Sequence, residues 1–260
     1  MNAGHRRWQE ILFSRKMMTC ILLGFSSGMP LFVGTHLVPA WLRTNDVDLA
    51  TIGLFAILGL PYTWKFLWSP LMDRYKLPFL GRRRGWALIT QIALLLSIGT
   101  MGQFDPSVSL QGIVIMVFIV ALFSASQDIV LDAYRRELLA DDELGTGTSL
   151  WINAYRISLL VPGSLGLILS DHLPWSAVFW IVAVFMFIGI VTTLSIREVS
   201  DDTLAPHTLR EAVIEPFREF FQRDGVKQGL AILAFMFLYK LGDNLATALA
   251  TPFYLDMGYT

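Results

Sequence analysis

Residues 65–86 read KFLWSPLMDRYKLPFLGRRRGW. Between Asp73 and Trp86 this stretch carries Arg74, Lys76, Arg82, Arg83 and Arg84. On either side lies a long apolar run, over residues 51–71 and 85–104. Roughly 20 consecutive apolar residues cross the hydrocarbon core of a bilayer, so each run has the length of one crossing. Lys and Arg collect in the cytoplasmic loops of membrane proteins. A basic turn between two such runs therefore reads as a cytoplasmic hairpin between membrane helices.

The same pattern repeats outward. Seven segments are long and apolar enough to span, over residues 17–42, 51–71, 85–104, 111–134, 148–170, 174–196 and 229–255. Overall, 54% of the 260 residues are hydrophobic and 16% are charged, against about 25% charge in a soluble domain. Helices are expected, because an isolated span must satisfy its own backbone hydrogen bonds. A barrel would alternate polar and apolar residues in short strands, and these runs are continuous. A net charge of −1 gives no sign of a nucleic-acid partner. One cysteine and four histidines without ligand spacing support neither a disulfide framework nor a metal site, and no cofactor is indicated.

Sixteen Lys and Arg residues fall in the segment before the first span and in alternate connections, against Arg43 alone in the others. The N-terminus and the connection between spans six and seven are therefore expected in the cytoplasm. The first apolar run is too long for a signal-peptide core and lacks a small-residue cleavage site, so it reads as a retained helix. The chain divides into a six-helix bundle over 1–196, an amphipathic cytoplasmic linker over 197–228, and a seventh span over 229–260 that opens a second bundle. In the linker, Thr208 and Glu211 form a capping-box pattern ahead of apolar residues at helical spacing. Its apolar face is expected to lie on membrane lipid. Span one ends in PAWL at 39–42 and span seven in PFYL at 252–255. This weak echo suits a repeated transporter whose second half begins at span seven. The C-terminal bundle would then be missing from the chain.

Charges inside a membrane are costly, about 2.5–3.5 kcal/mol each at the centre on insertion scales, and mark function by default. Asp128 and Asp132 are four residues apart on one face of span four, with Ser124 and Gln127 beside them. A carboxylate so placed can take up and release a proton, and both are candidates for proton coupling. The structural alternative pairs Asp128 with Lys65 or Arg156, and Asp132 with Arg135 or Arg136. Lys65, Gln127 and Arg156 are candidates for substrate contact or for an ion-pair network. Lys240 and Asp243 join them, although their three-residue spacing also suits a pair within one helix. Asp73, Arg74, Arg82, Arg83 and Arg84 form a candidate cytoplasmic gate.

The stretch SPLMDR at 69–74 followed by GRRR at 81–84 resembles the loop signature of the major facilitator superfamily, in which an aspartate and arginines latch adjacent helices. Ser69 replaces the usual glycine, and six residues separate Arg74 from Gly81, so a different latch geometry is expected. Four stretches narrow the resemblance: KFLWSPLMDR at 65–74, GRRRGW at 81–86, SASQDIVLDA at 124–133 and LYKLGD at 238–243. Together these are similar to the AmpG-type muropeptide permeases of Gram-negative inner membranes. The resemblance implies an all-α, multi-pass fold and alternating access between two six-helix bundles. It also implies proton-driven import of anhydro-muropeptides from periplasm to cytoplasm, serving peptidoglycan recycling and beta-lactamase induction. Muropeptide and protons are the implied partners. Alternatives are import of another anionic solute by a related transporter, and a seven-span sensor. The charge bias opposes the sensor, and the histidines outside the spans sit in no enzymatic motif.

Overall fold

The computed structural model describes residues 14–48, 51–52, 55, 59–78, 80–199, 218–223, 225–236 and 238–239. They are helical almost throughout, and the strand-like pairing among them is a single bridge between Leu77 and Gly81. Among the described residues, five helices are long and apolar enough to cross a membrane. In chain order, α1 is Arg15–Thr44, α4 is Arg82–Met101, α5 is Leu110–Leu138, α6 is Leu144–Ser170 and α7 is Trp175–Ser195. Two short helices, α2 at Leu60–Trp64 and α3 at Ser69–Arg74, lie between α1 and α4. Exposed residues such as Ile115, Phe118, Ile168 and Val191 are apolar as well, the outward composition that lipid requires. The chain is a multi-pass membrane protein.

Prolines shape these helices. Inside a helix, proline removes one backbone hydrogen bond and crowds the carbonyl four residues earlier. In α1, Pro39 follows a π-helical turn at Val33–Leu37. In α6, Pro162 sits within a second such turn at Val161–Leu165. The widened turns absorb the crowding without ending either helix, and the two turns touch each other. The second predicted span is less continuous than expected. Between α2 and α3 the backbone tightens into a 3₁₀ turn at Lys65–Leu67. Pro61 and Pro70 each stand in the first turn of their short helix, where proline is tolerated because the missing N–H would be unpaired anyway.

α1 packs on α6, α5 and α7, and α4 packs on α5 and α7. The α1–α6 contact depends on glycine. A Cβ on Gly24 would fall 2.7 Å from the Trp151 carbonyl oxygen, and one on Gly28 would fall 2.5 Å from that of Tyr155. Small residues allow such backbone approach in membrane bundles. Toward the Thr44 end, Trp41 stacks edge-on against Phe179 at 4.9 Å, in a core with Leu94, Ile98 and Ile113. Toward the Arg15 end, a second core holds Met17, Leu23, Leu131 and Trp151.

The chain separates into two compact units, divided between residues 205 and 206. In the second unit the described residues form helices over 218–223 and Val226–Met236. Most of the expected linker and most of the seventh span, including Lys240 and Asp243, lie outside the described residues.

Candidate functional site

Asp128 lies on the inner side of α5, partly buried, on the helix that α1 and α2 pack against. Its carboxylate accepts a 2.5 Å hydrogen bond from the Ser27 hydroxyl of α1. Tyr62 of α2 and Tyr155 of α6 lie within electrostatic reach of that carboxylate, and so does Lys65. Tyr62 also approaches Ser124, one turn before Asp128. The 3₁₀ turn puts Lys65 on this side of the bundle, but no ion pair within 4.0 Å joins it to Asp128. The carboxylate is therefore held by a hydroxyl among two phenols, with a cation nearby.

The other candidates from the sequence separate around this point. Asp132 is exposed and pairs with Arg135 of its own helix at 3.1 Å. Arg156 is exposed on α6, and among the described residues it makes no ion pair or side-chain hydrogen bond. Gln127 points away from solvent entirely, at 0% exposure, and both atoms of its amide lack a hydrogen-bond partner among the described residues. Ser27, Tyr62 and Tyr155 were not foreseen. A hydroxyl beside paired glycines in span one was the available signal for Ser27, but its partner depends on helix rotation.

A second polar cluster sits at the end of the bundle where α3, α4 and α5 meet. Arg83 is nearly buried, with 9% of its side chain exposed. It pairs with Asp73 at 2.5 Å and donates to one oxygen of Glu137 from Nε at 3.0 Å and Nη2 at 2.7 Å. Arg82 donates to the Asp73 carbonyl at 3.0 Å. Arg84 reaches α7, donating to the carbonyls of Thr193 and Leu194 at 2.9 Å each. The backbone N–H of Arg84 donates to the Glu198 carboxylate at 3.0 Å, satisfying one of the free donors at the start of α4. Arg74 stands aside, its guanidinium 5.5 Å from the Tyr75 ring centre. A bridge between Leu77 and Gly81 turns the chain back between Arg74 and α4. Gly81 takes φ +90° there, with the Glu198 carboxyl packed where a Cβ would stand, and only glycine enters that backbone region without strain. This turn carries Arg83 back onto Asp73 despite the longer spacing. Glu137 and Glu198, which complete the cluster, were missed by the sequence reading.

Beside Tyr62 lies a cavity of about 240 Å³ between α1, α2 and α5. Pro30, Gly34, Thr35, Phe55, Val117 and Ala121 are among the residues that line it.

Residues 20–260 match the family model described as the Major Facilitator Superfamily. The chain belongs to this superfamily. Among its relatives, an uncharacterized protein of Haemophilus influenzae is 46% identical over 96% of this chain and 59% of its own length. The anhydromuropeptide permease of Escherichia coli K12 is 43% identical over 90% of this chain and 47% of its own length. A protein of Rickettsia conorii named putative transporter AmpG 4 is 30% identical over 98% of this chain and 63% of its own length. The chain thus spans about half to two thirds of the length of these relatives. The membership accords with the helical, multi-pass architecture.

Proposed function

We propose that the chain serves proton-coupled import of anhydro-muropeptides across the bacterial inner membrane, for peptidoglycan recycling and the induction of beta-lactamase. The observation that carries this reading is the likeness to the E. coli permease across 90% of the chain. The surroundings of Asp128 support the proton-coupled part. A carboxylate held in the bundle by the Ser27 hydroxyl, without an ion-pair partner within 4.0 Å among the described residues, can exchange a proton without first breaking an ion pair. Lys65, beside it, supplies positive charge for an anionic group of the substrate. Asp132, bonded to Arg135, acts as a structural partner of that arginine. Gln127 contributes within the packed interior, while Arg156, exposed and without an ion pair among the described residues, is available to the substrate or to another part of the transporter. Lys240 and Asp243 are proposed to pair in the seventh span.

The cluster of Asp73, Arg82, Arg83, Arg84 and Glu137 is proposed to be a cytoplasmic gate. It ties α3, α4 and α5 together in one access state and opens in the other. The N-terminus is then cytoplasmic, followed by a six-helix bundle over 1–196 and a linker over 197–228.

The test is uptake of labelled anhydro-muropeptide into right-side-out membrane vesicles, with and without a proton gradient. Uptake that rises with the gradient is the expected result. Equal uptake with and without it would remove proton coupling, and no uptake of any muropeptide would remove the substrate.

A further inference from the structure

A second cavity, of about 350 Å³, opens at the Arg15 end of the bundle between α1, α5 and the residues that follow α7. Arg15, Lys16 and Arg197 line it, three cations around one space. The fold sets each of them there. Arg15 donates to the Ser195 carbonyl at 3.0 Å, which ties the start of α1 to the end of α7. The Tyr134 hydroxyl donates to the Arg197 carbonyl at 2.9 Å and holds that residue against α5. Lys16 is matched by Glu143 at 2.6 Å, and the nearby Glu198 carboxylate accepts from the Arg84 N–H. Arg15 and Arg197 are both exposed, and neither makes an ion pair among the described residues. A helix start favours negative charge and disfavours cations. The first turn of α1 nevertheless holds Arg15 and Lys16 and no acidic residue. The cavity therefore keeps an excess of positive charge that a bound anion would offset.

We infer that this cavity seats the head group of an anionic membrane lipid, with the lipid phosphate between Arg15 and Arg197. The inference is independent of the muropeptide reading. A guanidinium binds phosphate oxygens through two parallel hydrogen bonds, and basic pockets between membrane helices on the cytoplasmic side take anionic head groups. The volume lies within the roughly 300–1,000 Å³ of small-molecule sites. The rest of the lining decides between a lipid and a soluble phosphate. It is mostly apolar, with Leu138, Ile196 and Val199 beside the Tyr134 ring. A free phosphate gains nothing from such a lining, whereas the glycerol and first acyl carbons of a lipid bury against it. On α7, Val184, Phe187, Val191 and Leu194 are exposed at helical spacing up to Ser195. They form an apolar stripe for the acyl chains, and it ends at the residue to which Arg15 is bonded.

Arg197 provides the test, because its side chain makes no hydrogen bond or ion pair among the described residues and can be neutralised without breaking one. Arg197→Gln and Arg15→Gln are compared with Arg43→Gln, which removes an exposed cation from the opposite end of α1. The complete chain is purified in detergent and stripped of lipid. It is then titrated with phosphatidylglycerol or with zwitterionic phosphatidylcholine, and bound lipid is counted by native mass spectrometry. Soluble glycerophosphate is added as a competitor. The unmodified protein and Arg43→Gln are expected to bind phosphatidylglycerol at least about tenfold more tightly than phosphatidylcholine. Arg197→Gln is expected to lower that preference about fivefold, the value of one cation near a charged membrane surface, with the melting temperature of the lipid-free protein unchanged. Arg15→Gln is expected to lower the preference by at least as much. Glycerophosphate is expected not to displace the lipid. Equal binding of the two lipids by the unmodified protein overturns the inference, as does an unchanged preference in either cavity variant or an equal loss in Arg43→Gln. Displacement of the lipid by glycerophosphate at matching concentration also overturns it, and assigns the cavity to a soluble phosphate.

Discussion

Replacing Asp128 with Asn preserves the size of the side chain and its bond from Ser27 but removes its ability to carry a proton. Asp128→Asn is expected to abolish gradient-driven uptake while membrane insertion, followed by protease protection, stays normal. Gradient-driven uptake at the unmodified rate would exclude Asp128 from the mechanism. Asp132→Asn offers the contrast. Its carboxylate is exposed and bonded to Arg135, and exposed pairs contribute at most about 1 kcal/mol. Uptake by Asp132→Asn is expected to stay within about twofold of normal, since the half-buried Arg135 keeps its place over the Trp151 ring at 4.8 Å when the pair is lost. The two residues look equivalent along the helix, and their surroundings separate them.

At the scale of elements, the contact between α1 and α6 and the ties at the end of the bundle decide stability. Gly28→Ala places a methyl group against the Tyr155 carbonyl oxygen and the Ser158 hydroxyl. Backbone cannot yield as a flexible side chain does, and overpacking of this kind costs about 1–3 kcal/mol. A lowered melting temperature in detergent is the expected sign. Arg83→Lys keeps the charge but cannot hold Asp73 and Glu137 together, because lysine lacks the planar fork. Its expected cost is about 1–3 kcal/mol, as two partly buried carboxylates lose their shared donor. A weaker tie joins α1 to the α5–α6 connection, where Lys16 bonds Glu143 at 2.6 Å. The hydrogen bond from Lys16, helped by that from the Ala140 N–H, holds the Glu143 carboxyl below its ordinary range. A carboxylate lowered by folding stabilises above its unfolded range and loses that contribution as pH falls through its folded value. Glu143→Gln is therefore expected to lower stability slightly at neutral pH and to change nothing in strong acid, as read by melting curves across pH.

For the whole molecule, orientation can be read by labelling. Cys20, the one native cysteine, is buried, so a cysteine introduced at an exposed site reports without background. Val108→Cys, between α4 and α5, is expected to react with impermeant maleimide from the periplasmic side. Asp142→Cys, between α5 and α6, is expected to react from the cytoplasmic side. Both positions are exposed, and the reverse pattern would invert the proposed topology. Membrane residence and helical class were legible in the sequence by themselves, because bilayer thickness and backbone hydrogen bonding leave no other use for such long apolar runs. The superfamily was legible too, in the local string from Ser69 to Arg84. Rotation about each helix axis was not, since an apolar run inside lipid has no wet face to mark its direction. The tertiary structure alone selected Ser27 as the partner of Asp128 and left Gln127 buried and Arg156 exposed, and it chose Arg135 from the two arginines the sequence offered to Asp132. It also broke the second span at Lys65 and added Glu137 and Glu198 to the ion cluster. The Ser27 contact and the ion cluster depend on groups more than 50 residues apart in the chain meeting across packed helices, a relation that the local order of residues does not record.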